Sequence, residues 1–100
     1  MVGKRSVEFA ESALLDLEAL RAWYVAQGVP EVGARFVVEI VTCIEQLAEF
    51  PDSGRIVPEF ALEPLREQIH LPFRIVYRVA AAKIWIVRVW RSERLLKMPG

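Results

Sequence analysis

Few side chains in this 100-residue sequence can move a proton near neutral pH. His70 is the single histidine, and Glu67 and Glu93 are the carboxylates that would pair with it in general acid–base work. Its position just ahead of Leu71-Pro72 fits an ordinary polar residue at a strand end equally well. Arg74 and Arg78 add cations nearby, and a guanidinium fork suits phosphate. Charge alternating with an apolar face is also what any half-solvated strand shows. Arg91, Arg94 and Lys97, with Glu93 among them, make a basic end of the kind that is usually solvated surface. Glu59, Glu63 and Glu67 suggest a carboxylate cluster, but Pro64 breaks the helical spacing that would align the first two. Cys43 has no neighbour in sequence that would depress a thiol pKa, and it reads as a small apolar helix residue. No metal and no cofactor is expected from this set.

The bulk numbers constrain what these groups can belong to. One modest domain, residues 1–100, fits the length, and on folding it buries only about two-thirds of the surface its unfolded chain exposes. With 54% hydrophobic residues and no net charge, the chain must fold, and it carries more apolar surface than so small a body can hide. A partner is implied. The neutral balance argues against non-specific nucleic-acid binding, which draws on surplus Lys and Arg. A single cysteine excludes an internal disulfide and a cysteine zinc cage. Met1-Val2-Gly3-Lys4-Arg5 is followed by no apolar run of signal-peptide or membrane-spanning length, so the expected location is cytoplasmic.

The elements that must position these residues follow from periodicity. Ser6 to Phe9 is a short strand, and Ser12 is placed to cap a helix in which Leu14, Leu17, Leu20 and Tyr24 recur at helical spacing. Gly28 suits a left-handed C-cap, and Pro30 the first turn of a second helix. That helix carries Val37, Ile40, Val41, Ile44, Leu47 and Ala48 on one stripe and ends at Phe50-Pro51. Two amphipathic helices joined so closely form an antiparallel hairpin that needs a third element to cover. Pro51-Asp52-Ser53-Gly54 is a turn, and Pro58 and Pro64 keep the next stretch irregular. Strands follow at Leu65 to Leu71, Phe73 to Ala80 and Lys83 to Trp90, forming a meander. Parity puts Phe73, Ile75, Tyr77 and Val79 on a core face and Arg74, Val76 and Arg78 on a partly basic one. In the last strand Ile84, Ile86 and Trp90 oppose Trp85, Val87 and Val89, as in an interior or partner-covered strand. The fold class is α+β, a helix hairpin packed on a mainly antiparallel sheet.

This order of elements resembles the ParE/RelE superfamily of type II toxin–antitoxin toxins across nearly the whole chain. Pro72-Phe73-Arg74-Ile75-Val76-Tyr77-Arg78-Val79 is similar to the family's aromatic-Arg-hydrophobic-Val-Tyr strand. Ile86-Val87-Arg88-Val89-Trp90-Arg91-Ser92-Glu93-Arg94 resembles its final strand and basic end, and Pro51-Asp52-Ser53-Gly54-Arg55 its Pro-x-x-Gly-Arg turn. The resemblance implies a toxin held inactive by a ParD-like antitoxin in a hetero-oligomer. Contact with DNA would then be only indirect, through the antitoxin, and no membrane is involved. Trp23, Tyr24, Phe36, Arg74, Trp85 and Trp90 are the expected antitoxin contacts, because large aromatics dominate interface energetics.

Two activities are associated with the superfamily: inhibition of DNA gyrase in the ParE branch and ribosome-dependent messenger cleavage in the RelE branch. Cleaving RNA through its 2′-hydroxyl needs a base, an acid and cations for the phosphorane. Arg74 and Arg94 resemble RelE charge stabilisers, leaving His70 or Glu67 as base. The basic pair of that branch falls at Gln68 and His70, no tyrosine follows Tyr77, and Arg91 stands where related ribonucleases and many ParE relatives carry histidine. The ParE-like reading therefore leads, with Arg91, Arg94, Leu95, Leu96 and Lys97 expected to face gyrase.

Overall fold

The computed structural model describes residues 5–57 and 65–91. Strand β1 (Ser6–Phe9) leads into helix α1 (Glu11–Ala26) and helix α2 (Pro30–Glu49). The strands β2 (Arg55–Ile56), β3 (Leu65–His70), β4 (Phe73–Val79) and β5 (Lys83–Arg91) follow. They form one five-stranded sheet in the order β1-β5-β4-β3-β2. β3, β4 and β5 are the antiparallel meander, and β1 runs parallel to β5, which is therefore interior. The two-residue β2, absent from the sequence reading, continues the sheet antiparallel to β3.

Local chemistry sets the helix boundaries. Gly28 adopts φ 79°, a left-handed conformation that costs a glycine little, and Pro30 occupies the first turn of α2. The hairpin packs on one face of the sheet. Ala13, Leu20 and Tyr24 from α1 and Ile40, Ile44 and Leu47 from α2 meet Phe73, Ile75 and Tyr77 of β4 and Ile84, Ile86 and Val89 of β5. Burial of each large apolar side chain in this set stabilises the fold by about 1.5–3 kcal/mol.

Three expectations are corrected. Leu14 lies 48% exposed, because Ala13 takes the core position on that turn of α1. Ser12 does not cap the helix: α1 starts after Ala10, and the Ser12 hydroxyl donates instead to the Val87 carbonyl at 2.7 Å. Parity in β5 breaks at a bulge, where Tyr77 pairs with Ile86 while Val76 pairs with Arg88, leaving Val87 unmatched. Val89 is thereby turned into the core and Trp90 away from it, the reverse of simple alternation.

The bulge lies where β1 ends and β5 would otherwise present an open edge. Ala10 N–H donates to the Ile86 carbonyl at 2.9 Å, and the first turns of α1 then replace the missing strand. Ser12 takes the Val87 carbonyl, and the Asp16 carboxylate accepts the Val89 N–H at 2.9 Å. The same carboxylate receives Arg88 through Nε and Nη2 at 2.8 and 2.9 Å. Asp16 is thus the side chain that closes the sheet edge. Asp16→Ala should cost about 2 kcal/mol in urea unfolding, and Asp16→Asn, which keeps an acceptor for Val89, about half of that.

Candidate functional site

The segment leaving α2 is held by the hydroxyl of Tyr77, a wholly buried side chain on β4. That hydroxyl donates to the Pro51 carbonyl at 2.7 Å and accepts the Gly54 N–H at 3.0 Å. Arg66 of β3 donates to the Gly54 carbonyl at 2.7 Å, and its Nη2 lies 3.6 Å from the Asp52 carboxylate. A Cβ on Gly54 would sit 2.5 Å from both the Glu67 carbonyl oxygen and the Tyr77 hydroxyl, so only glycine fits. Burial raises the Tyr77 pKa, although the Gly54 N–H and the Arg66 charge pull it down.

Beyond this turn, Glu67 is sealed from solvent between two guanidinium groups, those of Arg55 on β2 and Arg74 on β4. Arg74 is itself only 5% exposed, which corrects the expectation of a half-solvated basic strand. The register fixes the faces. Arg74 pairs with Ile69 and Trp90, and Glu67 with Val76, so both lie on the side turned away from the helices. His70 pairs with Phe73 and lies on the helix side. There its Nε2 is 2.9 Å from a Glu39 oxygen, and its Nδ1 is 3.5 Å from the Cys43 sulfur. Desolvation, and then the Glu39 charge, push the Cys43 thiol pKa up. Arg74 and Glu67 are brought together, but His70 is separated from them by the sheet itself.

The aromatic candidates divide. Trp23, Tyr24, Phe36 and Phe73 form a continuous row with centroid separations of 4.8, 5.6 and 5.1 Å. Tyr24 is a buried core residue and Phe36 is partly buried, whereas Trp23 is 51% exposed. The Arg91 guanidinium stacks on Trp23 and Phe73 at 5.6 and 5.7 Å and donates to the Tyr24 hydroxyl at 3.1 Å. Trp85 and Trp90, on the opposite face, lie under Lys83 and Arg88 at 5.0 and 4.5 Å. Arg94, Leu95, Leu96 and Lys97 fall outside the described residues, as do Glu59, Glu63 and Glu93.

A sequence model of the ParE toxins of type II toxin–antitoxin systems matches residues 7–96. The chain belongs to the ParE toxin family. Toxin RelE2 of Caulobacter vibrioides is 37% identical over 84 residues, covering 83% of this chain and 90% of that protein. The chromosomal ParDE system of P. aeruginosa superposes with a TM-score of 0.71 at 28% identity, over 88% of this chain and 96% of that one. The toxin–antitoxin complex RelBE2 from Mycobacterium tuberculosis shares the fold, with a TM-score of 0.64 at 23% identity over 89% and 99% of the two chains.

In this chain the Pro51-to-Arg55 motif has a physical explanation. Its glycine makes room for Tyr77, and its arginine neutralises Glu67. The motif is visible in the sequence; the role of Arg55 and the Glu39–His70–Cys43 contact, whose partners are 27 and 31 residues apart, are not.

Two measurements check the turn. Gly54→Ala should cost about 3 kcal/mol by overpacking, and Tyr77→Phe about 1–3 kcal/mol by leaving the Gly54 N–H without its acceptor. Because the folded-state pKa of Tyr77 is raised, the stability it adds is complete below the ordinary tyrosine value and is lost as pH climbs through the folded value. Urea midpoints should therefore fall with alkaline pH more steeply in the native protein than in Tyr77→Phe. Parallel profiles would contradict the assignment.

Proposed function

We propose that this ParE toxin acts by docking onto DNA gyrase in the cytoplasm, and that a ParD-like antitoxin neutralises it by covering its apolar surface in a hetero-oligomer. The observation that carries this reading is the split across the sheet. A ribonuclease needs its proton acceptor and its cation on the same phosphate. His70 lies on the helix face and Arg74 on the other. Glu67 shares a face with Arg74, yet its two oxygens are taken up by two guanidinium groups, which suits a fixed acceptor rather than a proton shuttle. Docking, by contrast, needs exposed anchors. Leu14, Leu15, Trp23 and Val25 supply them along α1, a surface that an antitoxin helix or strand can cover. The basic end carrying Arg91, Arg94, Leu95, Leu96 and Lys97 is the proposed gyrase-facing element.

The name of the Caulobacter relative, Toxin RelE2, keeps messenger cleavage as the second reading. One paired assay separates them. The purified toxin should block gyrase supercoiling while ribosome-bound messenger stays intact, and its antitoxin should restore supercoiling. Replacing Arg94 and Lys97 together by alanine should raise the inhibitory concentration by about tenfold, a loss of about 1.4 kcal/mol in binding. Unimpaired supercoiling alongside messenger cleavage that Arg74→Ala and His70→Gln abolish would establish the second reading instead.

A further inference from the structure

We propose that antitoxin and gyrase compete for one contact on this chain, the Arg91 guanidinium together with the exposed Trp23 ring on which it stacks; the competition rests on the docking function. The contact lies where the two surfaces of that function meet. Leu15, Ala19 and Trp23 are all exposed and follow one another at four-residue spacing, so they form a stripe along α1 that a partner can cover. Arg91, the last residue of β5, opens the basic end that is to face gyrase. Its guanidinium lies over the Trp23 ring, 5.6 Å from the ring centre, so the stripe runs into the basic end at that point.

Three elements hold the guanidinium. Phe73 on β4 pairs with Arg91 across the sheet and offers a second ring at 5.7 Å, and the Tyr24 hydroxyl on α1 accepts a hydrogen bond from it at 3.1 Å. Trp23 meets Tyr24 edge-on with centroids 4.8 Å apart, so one ring fixes the next. Tyr24 and Phe73 are buried, whereas Trp23 is exposed and Arg91 half-buried. Tyr24 and Phe73 are therefore positioning residues, and Trp23 and Arg91 are the pair a partner can touch. Fixing a long side chain in advance removes the ordering cost that a partner would otherwise meet. Tryptophan and arginine are also the residue types that most often carry interface energy. A guanidinium stacks through its face and donates from its edge, so a carboxylate of either partner can add to the stack. Two proteins cannot bury the same ring and cation at once. Neutralisation then follows from occupancy alone, with no change of shape in the toxin.

Binding of the full chain to immobilised gyrase tests the competition, with the cognate antitoxin added in solution. The apparent dissociation constant for gyrase should rise in proportion to free antitoxin without limit, whereas coupling between separate sites would saturate. No complex of all three proteins should form. Trp23→Ala and Arg91→Ala should each weaken binding to both partners by about tenfold, and Trp23→Phe, which keeps a ring under the cation, should restore most of both. Tyr24→Phe removes one buried hydroxyl, which leaves Arg91 less firmly held, and should weaken both by about threefold. Circular dichroism establishes that each variant is folded, and Tyr24→Phe retains the test should either alanine variant unfold. A ternary complex would overturn the competition and leave the docking function standing, as would a folded Trp23→Ala chain that loses one partner and keeps the other at native strength. A native chain that binds antitoxin but not gyrase would overturn the docking function itself, and the competition with it.

Discussion

A carboxylate shut away from water stays charged only where cations meet it, and Glu67 is met by two. The arrangement of one side of the molecule follows from that requirement. Arg55 must lie beside β3, which extends the sheet by the two residues of β2, and Arg74 must turn away from the helices. The backbone of Glu67 also forms one wall of the space that admits only glycine at position 54. Turn, edge strand and meander are thereby held in one register, and Tyr77 joins them to the end of α2.

The same register separates the titratable and cationic groups. Successive side chains on a strand point to opposite faces, so Arg74 and His70, on paired strands one register step apart, are kept on opposite sides of the sheet. At the other side of the meander, the β5 bulge and the Asp16 carboxylate rotate the strand end so that Arg91 lands on the Trp23–Tyr24–Phe73 aromatics. Arg91 is held there by stacking and by the Tyr24 hydroxyl as well as by its pairing with Phe73.

Much of this was legible in the residues. Gly28 and Pro30 marked the break between the helices, the α2 stripe marked its buried face, and Pro51 to Gly54 marked the turn. The motif around Arg74 and Tyr77 pointed to the family that the comparison then established. What stayed hidden depends on contacts distant in sequence. The bulge left only Arg88 out of step with the apolar alternation of Ile84 and Ile86, and one such residue does not show that the ladder slips at Val87. Ser12 looked like a cap because no sequence pattern tells which carbonyl its hydroxyl will find. Arg74 looked half-solvated because alternation gives its face but not the covering of that face. Glu39 and Cys43 share one side of α2, but only the packed sheet brings His70 to them.

The central claim, that Glu67 is a buried clamp rather than a base, is tested most directly by the unfolding free energy of Glu67→Gln. The substitution keeps the shape and removes the charge that balances Arg74 in the interior. It should lower stability by about 3 kcal/mol, a large share of what a domain of this size possesses, with an unchanged dependence on denaturant. A variant as stable as the native protein, but stripped of messenger cleavage that the native protein performs, would contradict the account.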